Sequence, residues 1–111
     1  MPRNRCGLVA LTLFLVSSPA AAQGLDVLQG KFAFNWHARP SREKCVKVEG
    51  PLLADFKSNR YSCDLKVITN TASGASARTC TEARGRKKEY LIFDTLRACD
   101  GERKVQASNE E

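Results

Sequence analysis

The sequence predicts an α+β fold, a small single domain stapled by disulfides. A short antiparallel sheet carries one short helix, and a C-terminal helix packs on it. Three observations lead there. Residues 31–36 (KFAFNW) alternate with a period of two, which is the mark of a strand. Four cysteines, Cys45, Cys63, Cys80 and Cys99, are spread along a chain too short for its core to supply a wide margin of stability. The last segment has a capping residue followed by a helix-length stretch poor in apolar groups, which needs a covalent tie.

The chain has 111 residues, and its 42% hydrophobic and 27% charged content excludes collagen-like and wholly disordered classes. Residues 1–22 read as an export signal. Arg3 and Arg5 precede the apolar run 7–16 (GLVALTLFLV), and Ala20, Ala21 and Ala22 form a small-residue cleavage site. Ten apolar residues are too few to span a bilayer of roughly 30 Å, so a cleaved signal is favoured over an anchor. Residues 23–111 are then the mature domain, without a transmembrane segment, in a periplasmic or secreted location. Cleavage removes Arg3 and Arg5, lowering the net charge from +6 to +4. It also removes Cys6, turning five cysteines into four in a compartment that favours disulfides.

Along the mature chain, Leu25 and Leu28 fit a single helical turn. In the strand 31–36, Phe32, Phe34 and Trp36 share one face, expected to cover the core ahead of the alternative, an exposed stacking platform for bases or sugars. Residues 37–43 form a loop and 45–48 a short strand. Gly50-Pro51 opens a helix that fades at Asn59, with Leu52, Leu53 and Phe56 as its apolar stripe and Pro where its missing N–H costs nothing. Residues 61–69 form a strand, and the small, polar segment 70–76 reads as a flexible linker between two halves. Residues 78–83 and 87–93 form a hairpin turning through Arg84-Gly85-Arg86, its second arm buried on both faces. Asp94 is placed to cap the last helix, 95–108, whose apolar side is read as Leu96 with Cys99. Gly101 weakens that helix by about 1 kcal/mol relative to Ala. Residues 109–111 read as a frayed acidic tail.

Four cysteines allow three pairings. The sequential one, Cys45–Cys63 with Cys80–Cys99, closes two loops of similar length, leaves the linker uncrossed and pins the last helix to the hairpin. It is the pairing the sequence favours.

Motifs for catalysis and cofactors are sparse. The cysteine gaps are too long for a zinc site, and no C-x-x-C marks a thioredoxin-type redox centre. A serine triad would have to use His37, the only imidazole, and no G-x-S-x-G occurs. No cofactor or metal is expected. Only a carboxylate pair remains open as catalytic machinery. The densest charge cluster is Arg84, Arg86, Lys87 and Lys88, with Arg78 placed near it across the hairpin. It is a candidate anion contact, set against the plainer reading of a solvated turn that keeps a sheet edge unpaired. The expected function is therefore an exported, non-catalytic binding or interaction module of the periplasm or envelope, a class that includes inhibitors of exported hydrolases. Its partner is expected to be a protein or an anionic envelope component, not nucleic acid. A small carboxylate-dependent hydrolase and a purely structural envelope protein are the alternatives.

Overall fold

The protein, described as a computed structural model over residues 24–85 and 87–110, has an α+β architecture with a five-stranded antiparallel sheet. The expected export segment and Arg86 lie outside the described residues. In chain order the elements are β1 (Phe32–Asn35), β2 (Val46–Lys47), α1 (Gly50–Lys57), β3 (Tyr61–Ile68), β4 (Ala77–Glu82), β5 (Glu89–Phe93) and α2 (Leu96–Ser108). Short 3-10 turns occupy Leu25–Leu28 and Pro40–Arg42. The sheet runs β2-β1-β5-β4-β3, and each neighbouring pair is antiparallel.

The period of two sorts side chains onto two faces, and each helix covers one. On the α1 face, Ala33, Cys80 and Ile92 of the sheet meet Leu28, Val48, Leu53 and Phe56. Phe56 also meets Tyr61 and Tyr90 edge to face, with ring centroids 5.3 and 5.2 Å apart. On the α2 face, Phe34, Ala77, Leu91 and Phe93 pack with Cys99. Strand β5 is therefore buried on both sides, because Leu91 and Phe93 serve one core and Ile92 the other. The β4–β5 hairpin closes where Glu82 N–H donates to the Lys88 carbonyl at 2.9 Å. Gly85 makes that turn at φ +77°, a conformation that disfavours any residue with a Cβ.

The disulfides are Cys45–Cys99 and Cys63–Cys80, not the sequential pairs. Cys63 and Cys80 stand opposite each other in the β3–β4 register, their Cα atoms 4.0 Å apart, on the α1 face. Cys99 lies on α2 across the sheet, so a bond from Cys80 would have to pass through the sheet. It joins Cys45, just before β2, at a Cα separation of 6.1 Å. Cross-linking over 54 residues also removes the division into two halves, since the outer bridge encloses the inner one.

Helix α2 departs from expectation at both ends. Its cap is Thr95, whose hydroxyl oxygen accepts from Ala98 N–H at 3.1 Å. Asp94, one residue earlier, instead bonds Lys31 at 2.8 Å and faces Arg78 at 3.5 Å. The Lys31 hydrogen bond, foremost, holds its carboxyl below the usual range. Leu96 is 46% exposed, so the inward side of the helix is set by Cys99 without it. At the far end the expected fraying stops at Glu110, which accepts from the Ser41 hydroxyl at 2.6 Å.

Candidate functional site

Helix α2 covers only part of its face of the sheet. Beyond it, Trp36, Ile68, Thr79, Glu89 and Leu91 line a groove of about 400 Å³. Its remaining wall is Glu102 and Gln106 of α2 with residues 70–72 of the β3–β4 loop. The alternation that buries Phe34 carries Trp36 past the end of the helix, leaving that residue 38% exposed. Further along the same face Ser62, Asp64, Thr79 and Thr81 surround a second, polar depression.

The groove is built on fixed parts. Asn35, buried at the end of β1, accepts from both His37 N–H and Glu89 N–H at 3.1 Å through one amide oxygen. That holds the chain turn after Trp36 against the start of β5. Trp36 N–H donates to the Glu89 carbonyl at 3.0 Å. The His37 ring sits edge-on to the indole, and its Nε2 lies 3.2 Å from Glu89 Oε1.

Glu102 holds the opposite wall. It is fully buried, yet its carboxylate accepts from Ser73 N–H at 2.8 Å, Ala72 N–H at 3.0 Å and Gln106 Nε2 at 2.7 Å. Burial pushes its carboxyl up, but the bonds from Ser73, Gln106 and Ala72 outweigh it and hold the group below its ordinary value. The segment expected to be a free linker is thus anchored to α2 by one side chain. No ion pair among the described residues includes Glu102.

The basic cluster lies elsewhere. Arg84, Lys87 and Lys88 are exposed on the β4–β5 turn, where Glu82 accepts from Lys87 N–H at 3.1 Å. Arg84 borders a shallow depression with Asn59, Arg60 and Glu82. Arg86 of the cluster lies outside the described residues. Arg78 does not join the cluster, because it is drawn toward Asp94 and the Leu65 carbonyl, which it meets at 2.9 Å. Arg84, Lys87 and Lys88 enter no ion pair among the described residues.

Chemically the groove offers an aromatic face, two carboxylates, two hydroxyls from Thr71 and Thr79, and two amides from Asn70 and Gln106. Among the described residues no group of three or more potential ligands is placed to hold a metal, and no hydroxyl bonds the His37 imidazole as a triad nucleophile would. Also among them, no helix is long and apolar enough to cross a membrane. Sequence reasoning missed Glu102 and Asn35. The signal for Glu102 was its spacing, three residues after Cys99 and four before Gln106, which puts it on the inward side of a helix tied down at Cys99. Set against known protein families, curated proteins and solved structures, the chain shows no significant match.

Proposed function

We propose that this protein is an exported, non-catalytic binding module that engages a partner in the periplasm or outside the cell through the open part of its α2 face. One observation carries the reading. A tryptophan more than a third exposed stands beside a groove of about 400 Å³ on a sheet braced by a disulfide on each face. Such rigidity lowers the entropy cost of ordering an interface, and tryptophan is enriched where binding energy concentrates. The two disulfides are compatible with an oxidising compartment.

The test is retention of a partner from the native envelope fraction by the mature protein, compared with Trp36→Ala. Loss of retention in the variant is the expected result. Equal retention by both proteins would put the contact on another surface. Turnover of peptidoglycan, glycan or nucleotide substrates, lost on carboxylate substitution, would replace the reading with the hydrolase alternative.

A second reading rests on Arg84, Lys87 and Lys88, which are exposed and free of ion pairs among the described residues. It is contact with an anionic envelope component, which should weaken steeply between about 50 and 200 mM salt. Reversing Arg84 and Lys88 to Glu should abolish that contact and leave the groove unaffected.

A further inference from the structure

The groove carries a charge pattern opposite to that of the whole chain. The sequence has 18 Lys and Arg against 12 Asp and Glu. Yet no Lys or Arg is among the ten residues lining the groove, whereas Glu89 and Glu102 both are. Glu102 is fully buried and satisfied only by neutral donors, so its negative charge has no counterion among the described residues. A buried ionised carboxylate held this way projects its field into the space beside it. That space is the groove it lines. Glu89 adds a second, partly exposed carboxylate, 3.2 Å from the His37 imidazole and next in line to the indole.

We propose that the groove takes a cationic side chain, arginine before lysine, projecting from an extended segment of a partner protein. Three features of the walls fit that group together. The aliphatic stem would lie on Leu91 and Ile68, which line the groove. The guanidinium plane would stack on the Trp36 ring, the aromatic type that binds cations best. Its fork of N–H donors would meet Glu89 in bidentate fashion, which an ammonium cannot do. Glu102 supplies attraction without needing to move, because its own hydrogen bonds hold the oxygens in place. This inference rests on the groove being the binding surface, and it names the chemistry of the group bound there.

The protein has one tryptophan, so its indole N–H gives a single, unambiguous NMR resonance from a residue that lines the groove. The experiment titrates the mature protein with an acetylated, amidated Gly-Gly-Arg-Gly peptide. The same peptide with neutral citrulline and a neutral chitin oligosaccharide form separate arms. The arginine peptide should shift the indole resonance saturably, with an affinity about tenfold above that of the citrulline peptide, the size expected for one charge-assisted pair. Glu89→Gln should remove most of the arginine peptide's advantage, the remainder being the field of Glu102 and the indole contact, and leave citrulline unchanged. Equal affinity for the two peptides, or a shift produced by the oligosaccharide alone, would overturn the cationic assignment while keeping the groove as a binding surface. No shift with any of the three would overturn both.

Discussion

The two faces of the sheet are closed by different means. The α1 face is sealed mainly by apolar contacts: Phe56 packs edge to face on Tyr61 and Tyr90, Leu53 and Val48 fill in around it, and Cys63–Cys80 staples two strands that already pair. The α2 face is closed over Phe34, Phe93 and Ala77, with Leu91 at the border of the groove. There a helix poor in apolar groups is held by one long-range disulfide and one buried carboxylate. A helix attached at a few points leaves neighbouring sheet uncovered. That is why the exposed tryptophan and the groove are on this face. The lesson is that polar and covalent anchors let a small domain keep part of a sheet face open without losing its helix.

The largest effect separates the bridges. Removing Cys45–Cys99 leaves α2 to its packing on Phe34 and Phe93 and to hydrogen bonds such as those of Glu102 and Glu110, and opens a loop of 54 residues, whereas Cys63–Cys80 closes only 17. Chain entropy puts the losses at about 4 and about 3 kcal/mol. Each pair includes one fully buried cysteine, Cys99 or Cys80, so cavity costs largely cancel in the comparison. Urea unfolding of the two double alanine variants measures the difference. A larger loss from Cys63–Cys80 would show that the α1 face also depends on its staple.

Next is Glu102→Ala, which removes the acceptor of two loop N–H groups and a glutamine amide. Leaving those donors unpaired should cost about 2–3 kcal/mol in chemical unfolding, and amide exchange in residues 72–73 should accelerate. Unchanged exchange there would show that the loop does not depend on α2.

The same group sets a pH dependence. Its folded value lies below the ordinary glutamate value of 4.5, because its hydrogen bonds outweigh the opposing effect of burial. The stabilisation is therefore complete above that ordinary value and is lost as the pH falls through the lowered folded value. Asp94 and Glu110 are also held low, by Lys31 and by Ser41, so the protein as a whole should lose thermal stability in acid. Subtracting the Tm profile of Glu102→Gln from that of the wild type between about pH 7 and pH 3 isolates the Glu102 share. Parallel profiles would remove Glu102 from the acid response.

Most of the elements were legible because period and punctuation report local structure. The alternation of residues 31–36, Pro51 at a helix start and the Arg84-Gly85-Arg86 turn each decided an element without reference to the rest of the chain. What failed depended on faces. The sequential pairing was favoured by reading along the chain, because it left the 70–76 linker uncrossed and pinned the last helix to the preceding hairpin. That reading is blind to Cys80 and Cys99 being on opposite sides of one sheet. Asp94 and Thr95 both had capping side chains, and the choice fell to Thr95 once Lys31, 63 residues away, took the aspartate. The groove was hidden for a related reason. Phe32, Phe34 and Trp36 share a face in any strand, but only the length of α2 relative to β1 decides which of them is covered. Its buried carboxylate looked, in sequence, like any charged residue on a polar helix.

The smallest stability effect, and the one that tests whether this face is open, is Trp36→Ala. Phe34, two residues earlier on the same face, is fully buried under α2, and truncating such a ring costs about 3–5 kcal/mol. Trp36 has a larger side chain, so a closed face would make its loss at least as severe. Trp36 is instead 38% exposed, its one aromatic contact among the described residues is the exposed His37, and its backbone bond to Glu89 survives truncation. The cost should then stay within about 1 kcal/mol, as for substitutions outside the core. Thermal unfolding of Trp36→Ala beside Phe34→Ala gives the comparison directly. A loss of about 3 kcal/mol or more at Trp36 would make the indole part of the core. The difference between the two faces would then be one of chemistry alone, with no open surface left for a partner.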